Sequence, residues 1–255
     1  MKNAIVTGAA SDIGQAIVRT LVAEGAYVVL ADNDLETVEA VARDVPGTEA
    51  VHLDLRSADS VRRVAADIVE RLGAPDQLVN GAALCNGGSL QSVDEDTWAQ
   101  DLDVVLAGTI RVSQALLPAM REAGHGAVVN IASVNGHGYF GADAYSAAKA
   151  GVLNLTKTLA AQYGPYGVRV NSVSPGTVVN AKRRRQLAAD PHALDRATEW
   201  YPLGRVGVPQ DVADAVVFLL SDKASWITGT DLRVDGGLMA GMPGLAEALG
   251  GSPDA

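Results

Sequence analysis

The stretch NAIVTGAASDIGQAIVRTLVAEGAYVVLADND, residues 3–34, decides the fold. It opens on a short apolar run suited to a strand (3–7), turns at once through Gly8 and Gly14 into a helix, and reaches a second apolar run, AYVVLA (26–31), that ends at Asp32. Strand, glycine-bearing turn, helix and strand in this order make a βαβ unit, which places its two strands side by side and parallel. The same alternation continues outward through AVHLDL (50–55), QLVN (77–80), AVVNIA (127–132), VRVNSV (168–173) and DLRVD (231–235). Seven strands are predicted. The first six are apolar at both alternating positions, as strands buried on two faces must be, and the segments between them are long enough for crossover helices. The fold class is therefore α/β, a parallel sheet with helices on both faces.

Between the fourth and fifth strands a long helix is predicted, opened by a capping box of Ser92 and Glu95, with Trp98, Leu102, Val105 and Leu106 on one face. No linker-like shift in composition divides the chain, so residues 1–255 read as one domain. Residues 177–208 break the rhythm with a basic run and Pro191, Trp200, Tyr201 and Pro202, and are expected to lie over the sheet edge as a lid. Residues 240–255, rich in Gly and Pro, are expected to form a short tail.

Composition narrows the function classes. With 20 Lys and Arg against 30 Asp and Glu, the formal charge is −10, and no long basic block offers a nucleic-acid or anionic-membrane surface. Cys85 is the single cysteine, and His52, His125, His137 and His192 show no metal-ligand spacing, so neither an internal disulfide nor a metal site is expected. The N-terminus enters a strand without a basic leader or apolar signal core, and the expected location is the cytoplasm.

The glycine turn lets backbone approach a pyrophosphate, which the free N–H groups and positive dipole end of the following helix bind. Asp32 lies 24 residues beyond Gly8, at a strand tip. A carboxylate there accepts hydrogen bonds from both hydroxyls of an adenosine ribose and repels a 2′-phosphate. Ala10 and Asn33 bring no arginine beside it, so NAD is favoured over NADP. Asp32 also starts a run with Asn33 and Asp34 that Asx-turn chemistry favours on its own account. Asp54 and Leu55, ending the third strand, could flank an adenine ring. Asn80, Gly81 and Ala82 close the fourth, where small residues let ribose and nicotinamide lie against the sheet. All sit at carboxyl ends of successive strands, where open α/β sheets bind ligands.

The fifth strand ends at Ser133, and 12 residues later comes YSAAK, with Tyr145 and Lys149 four apart on one helix face. An ammonium beside a phenol stabilises the phenolate, so Tyr145 is expected to have a lowered pKa and to serve as general acid or base. Ser133 can hydrogen-bond the oxygen that gains or loses the proton.

With TGAASDIG (7–14), Asp54, NGAA (80–83), Ser133, YSAAK (145–149), SPGT (174–177) and VDGG (234–237), the sequence resembles the short-chain dehydrogenase/reductase family from residue 4 to about residue 237. The resemblance implies a Rossmann-type, doubly wound sheet of seven strands, usually assembled as a homotetramer through two long central helices and the last strand. It implies Tyr145 as catalytic acid/base, Lys149 as the residue that binds the nicotinamide ribose and lowers the tyrosine pKa, and Ser133 as the group orienting the substrate oxygen. Gly8, Ser11, Asp12, Ile13 and Gly14 would form the pyrophosphate turn, and Pro175, Gly176 and Val178 would hold the nicotinamide carboxamide.

Three departures stand out. Asp12 replaces the family's second glycine; Asp begins helices well, and its side chain is expected to face solvent and bond a free N–H. Gly81 and Ala83 replace an asparagine and a glycine, both by small residues. Val105 stands where the family has the asparagine that helps hold a water between lysine and solvent. Its side chain either packs in the core or leaves the water to the backbone carbonyl.

The expected activity is hydride transfer between NAD(H) and a small-molecule secondary alcohol or ketone. The rivals are an NADPH-dependent 3-ketoacyl-type reductase, which Asp32 disfavours, and a nucleotide-binding regulator with weakened chemistry, suggested by Asp12, Gly81 and Val105. Lys182, Arg183, Arg184 and Arg185 in the lid read as a solvated face or as an attractor for an anionic substrate. His137 and Tyr139, and Trp200 and Tyr201, are candidates for the pocket wall or for plain loop and docking roles.

Overall fold

The computed structural model describes residues 1–179 and 192–241. Seven strands, β1 (Asn3–Thr7), β2 (Tyr27–Asp32), β3 (Thr48–His52), β4 (Gln77–Asn80), β5 (Gly126–Ile131), β6 (Val168–Pro175) and β7 (Asp231–Val234), form one parallel sheet in the order β3-β2-β1-β4-β5-β6-β7. The helices are α1 (Asp12–Ala23), α2 (Leu35–Asp44), α3 (Ala58–Leu72), α4 (Glu95–Leu102), α5 (Gly108–Ala123), α6 (Asp143–Tyr163), α7 (Ala193–Thr198) and α8 (Pro209–Leu220). This is a single-domain Rossmann-type fold.

Alternation along the strands builds two cores. On β1, Ala4 and Val6 face a layer holding Ile17, Leu21, Val212 and Val216 of α1 and α8. Ile5 points the other way, into Val61, Ile68, Leu116, Leu117 and Met120 of α3 and α5. A period of two sends neighbours to opposite faces, so a continuous apolar run is what a strand between two helical layers requires. β3 departs from that expectation: it is a sheet edge, its residues are half-buried or, at His52, exposed, and it spans 48–52 rather than 50–55. Leu53 and Leu55 are buried after the strand has ended.

The helix before β5 also differs from its predicted start. Asp94, not Ser92, caps α4, its carboxylate accepting from the Thr97 N–H at 2.8 Å. Ser92 instead accepts from the Ser89 N–H at 2.9 Å in the preceding turn. α4 continues through a π-helical turn, Asp103–Ala107, into α5. The resulting helix, Glu95–Ala123, is long and apolar enough to cross a membrane by length and composition. It packs Val112, Leu116, Leu117 and Met120 into the second core instead.

β1 lies between β2 and β4, the point where the strand order reverses. The connections leaving β1 and β4 diverge there and open a crevice at the carboxyl edge of the sheet.

Candidate active site

A cavity of about 780 Å³ fills this crevice. Its floor begins at the turn after β1. Gly8 has φ of +72°, and a Cβ added there would stand 2.6 Å from the Ala82 backbone, so only glycine closes the turn against the β4 end. Ser11 caps α1, accepting from the Gly14 N–H at 3.0 Å and donating to the Gly8 carbonyl at 2.8 Å. Gly14 packs directly behind the Gly8 carbonyl. Gly8, Ser11 and Ile13 line the cavity; Gly14 and Asp12 do not. Asp12 is the first residue of α1, where a carboxylate suits the positive dipole end.

At one end of the cavity Asp32 accepts from the Ala10 N–H at 3.0 Å and from the Asp34 N–H at 3.1 Å. The Asx-turn reading is thus realised, with the carboxylate still on the cavity wall. Asp54 and Leu55 share that wall with Arg56, whose Nε reaches Asp54 at 3.3 Å and whose N–H bonds the same oxygen at 3.0 Å. The bond from the Arg56 backbone is the largest influence on the Asp54 carboxyl and holds it below the usual range, against partial burial. Arg111 on α5 donates to the Leu55 carbonyl at 2.8 Å and pairs with Asp103 at 2.7 Å, fixing the loop from behind. Gly81 and Ala82 line the cavity, but Asn80 turns beneath it and donates to Asn130 at 2.8 Å; Asn130 in turn donates to Thr156 at 2.9 Å.

At the other end lie Ser133, Tyr145 and Lys149, with Pro175, Gly176 and Val178 beside them. Asn135 organises this end: its N–H donates to Ser133 Oγ at 3.2 Å, and its side-chain amide donates to the Gly141 carbonyl at 2.9 Å and to Ser146 Oγ at 3.0 Å. It therefore ties the serine to the start of α6, which Ala142 enters with a left-handed φ of 55°. Lys149 is 2% exposed. Its ammonium donates to the Ile131 carbonyl and stands 5.5 Å from the Tyr145 ring centre.

The electrostatics correct one expectation. Burial pushes the Tyr145 phenol up to about 12, with the Ser133 hydroxyl pulling it down and negative charge at Cys85 and Asp101 raising it further. Burial likewise brings Lys149 down to about 8. Proximity of the lysine does not by itself lower the phenol in the protein alone, because desolvation penalises both charged forms.

The family model described as enoyl-(acyl carrier protein) reductase matches residues 8–239. The chain belongs to the short-chain dehydrogenase/reductase family. It is 38% identical over 94% of its length to trans-4-hydroxycyclohexanecarboxylate dehydrogenase of Sinomonas cyclohexanicum, covering 93% of that protein. It is also 38% identical to meso-2,3-butanediol dehydrogenase of Serratia marcescens, covering 94% of this chain and 95% of that one. A crystal structure of an oxidoreductase of the short-chain dehydrogenase/reductase family from Burkholderia thailandensis superposes with a TM-score of 0.92 at 37% identity, over 98% of this chain and 97% of that one. The protein is thus a short-chain dehydrogenase/reductase oxidoreductase, of a family that binds a nicotinamide cofactor. The residues present fit such a group: a glycine cradle at a helix N-terminus, a carboxylate at one end and a Ser-Tyr-Lys set at the other.

Several expected neighbours lie elsewhere. His137 turns away to β7, pairing with Asp231 at 2.8 Å, and Tyr139 is 84% exposed; neither lines the cavity. Tyr201 is buried, its hydroxyl accepting from the Thr177 N–H at 2.9 Å and its ring lying against Gly176 and Gly236, whereas Trp200 is exposed. Lys182, Arg183, Arg184 and Arg185 lie outside the described residues, as does the tail beyond 241. Val105 is fully buried among Ala132, Ala148 and Val152, and its carbonyl accepts from Thr109 Oγ1 at 2.7 Å. Sequence reasoning passed over Asn135, Arg111 and Asp101. Asn135 carried a local signal, an amide two residues after the serine; the other two depend on tertiary packing.

Proposed function

We propose that the protein is an NAD-dependent alcohol dehydrogenase/ketone reductase. The observation that carries this reading is the placement of Ser133, Tyr145 and Lys149 on the wall of the cavity that also holds Asp32. When bound, the nicotinamide supplies the hydride acceptor or donor. In the oxidative direction Ser133 orients the substrate hydroxyl, and Tyr145 takes its proton as the C–H hydride leaves the carbon. Lys149 holds positive charge beside the Tyr145 phenolate that accepts this proton, and the step leaves the phenol. In reduction the phenol returns the proton to the carbonyl oxygen. Two relatives whose names are those of dehydrogenases for a hydroxy ring acid and a vicinal diol support a secondary alcohol as substrate.

NAD is preferred on this reading because the Asp32 carboxylate opposes a 2′-phosphate. A second reading, an NADPH-dependent ketoacyl-type reductase, draws on Arg56 in the same wall and on the acyl-carrier-protein description of the family model. We further propose a cytoplasmic location and a homotetramer, the assembly supported by exposed apolar residues on α5 (Ile110) and β7 (Leu232); light scattering showing a monomer would overturn it.

The test is a panel of secondary alcohols and ketones with NAD(H) and NADP(H), on the wild type and on Tyr145→Phe. Turnover with NAD that Tyr145→Phe abolishes, with NAD affinity retained, is the expected result. A variant that turns over as the wild type does would remove Tyr145 from the acid/base role. Faster reduction with NADPH would favour the second reading.

A further inference from the structure

Asp101 is a carboxylate buried to 2% exposure on α4, on the helix face that also carries Val105 one turn later. Val105 sits in a core cluster with Ala148 and Val152 of α6, against which Tyr145 packs, and α4 packs along α6, so this face lies against the catalytic helix. Buried carboxylates are rare unless their oxygens are engaged. Both Asp101 oxygens lie near the Asn86 N–H, at 3.1 and 3.4 Å, in the loop that joins β4 to α4 and supplies Ala83 and Leu84 to the cavity. An apolar residue would fill this position without a desolvation cost, so the carboxylate calls for a compensating use.

We propose that Asp101 is a positioning residue of the active site, which ties the β4–α4 loop down at Asn86 and places a carboxylate on the helix face turned to α6 and Tyr145. The inference rests on the reading of Tyr145 as acid/base. Asp101 and Cys85, from the loop, both act on Tyr145 of α6, and Cys85 also acts on Lys149, one turn further along α6. Asp143, at the start of α6, is engaged by the Leu90 N–H at 3.0 Å, and Asp103, on the next turn of the same helix, is paired with Arg111. Burial drives the Asp101 carboxyl upward, with the Asn86 N–H partly offsetting it. Charge at Asp101 in turn raises the Tyr145 phenol. The consequence is a bias toward the protonated tyrosine that adds to the larger effect of burial.

Two substitutions separate tie from charge. Asp101→Asn keeps an oxygen for the Asn86 N–H and loses the charge; Asp101→Leu loses both. For Asp101→Asn the acid limb of kcat/KM for alcohol oxidation should move to lower pH, with the Km for NAD unchanged. Asp101→Leu should show that shift together with a raised Km for the alcohol, because the loop is released. Cys85, the single cysteine, precedes Asn86 and gives a readout independent of turnover: its reaction with a thiol reagent should also shift to lower pH in Asp101→Asn. A pH-rate profile and a thiol-reactivity profile both superposing on the wild type would overturn the proposal. A thiol shift in a protein that oxidises no alcohol would leave the charge of Asp101 established and instead refute the activity assigned to Tyr145.

Discussion

Replacing Lys149 with methionine separates what its ammonium does for catalysis from what it costs the fold. The side chain is buried and its pKa falls from 10.5 to about 8, so at neutral pH the native state carries a charge that burial opposes by about 3 kcal/mol. The full penalty applies below about pH 8, where the lysine is charged in both states. It fades as pH rises toward 10.5, where the unfolded chain alone still holds the proton. Lys149→Met removes the penalty but strands the Ile131 carbonyl, at about 1–3 kcal/mol. The net expectation at neutral pH is a variant as stable as the wild type or up to about 2 kcal/mol more stable. Catalysis should move the opposite way. A charge 5.5 Å from the Tyr145 ring centre favours the phenolate by about 3 kcal/mol at an effective dielectric near 20, roughly a hundredfold in population. Oxidation kcat/KM near neutral pH should therefore fall about a hundredfold or more. The wild-type profile should level once the pair has lost its first proton near pH 8. In the variant the phenol, which burial holds high, is the only titrating member, and log kcat/KM should climb with unit slope through the alkaline range. The assay is initial-rate nicotinamide reduction against pH, with thermal melts and NAD binding by fluorescence alongside. A variant within a few-fold of wild type and with the same profile would refute the electrostatic argument. A clear loss of stability would refute the desolvation argument.

Asn135→Ala should lower kcat about tenfold with little change in the Km for NAD, since it frees Ser133 without touching the cofactor end; an unchanged kcat in steady-state assays would show that Ser133 needs no such support. Asp32→Ser should cost NAD about 1–3 kcal/mol, roughly 5- to 150-fold in kcat/KM, while NADP improves; parallel rates with the two cofactors decide it, and an unaltered ratio removes Asp32 from cofactor choice. Val105→Asn should lower the melting temperature, because an amide placed at this fully buried site costs about 1–3 kcal/mol. If the relay there limits proton delivery, the same variant changes the solvent isotope effect and the pH-rate profile; identical values would dismiss that role.

The seven strands and their order of appearance were readable because alternating burial demands apolar residues on both faces of an inner strand, and residues 3–7, 77–80 and 127–132 meet that demand. β3 was misjudged for the complementary reason. Its apolar residues, Ala50 and Val51, pack on the two opposite cores but stay half-buried at the sheet edge, and Leu53 and Leu55, which looked like strand, belong to the loop that lines the cavity. The Ser-Tyr-Lys set was legible through spacing, since a strand end and one helix turn fix those positions. Its electrostatics were not. Pairing along a helix is a local fact, whereas desolvation at Tyr145 and Lys149 depends on every layer packed over them.

Asp101 shows where a sequence misleads most readily. In the chain it is one acid among several, with Asp94, Glu95, Asp96 and Asp103 around it, and a helix with that charge pattern reads as solvated. Those neighbours do behave so: Asp94 caps the helix and Asp103 pairs with Arg111. The helical period places Asp101 on the same face as Val105, and that face is the one turned to α6. The two residues are best considered together. Where the family carries a neutral polar side chain at position 105, this chain has an apolar one, and one turn earlier on the same face it buries a carboxylate. An amide at 105 could bond a water and leave the charge near the tyrosine unchanged. A carboxylate at 101 changes that charge and cannot donate a hydrogen bond once ionised. On this argument the pair exchanges a hydrogen-bonding aid to proton movement for an electrostatic bias on the proton's resting place. Asp101→Asn and Val105→Asn should therefore act on different observables, the first moving the pH of the acid limb and the second the solvent isotope effect.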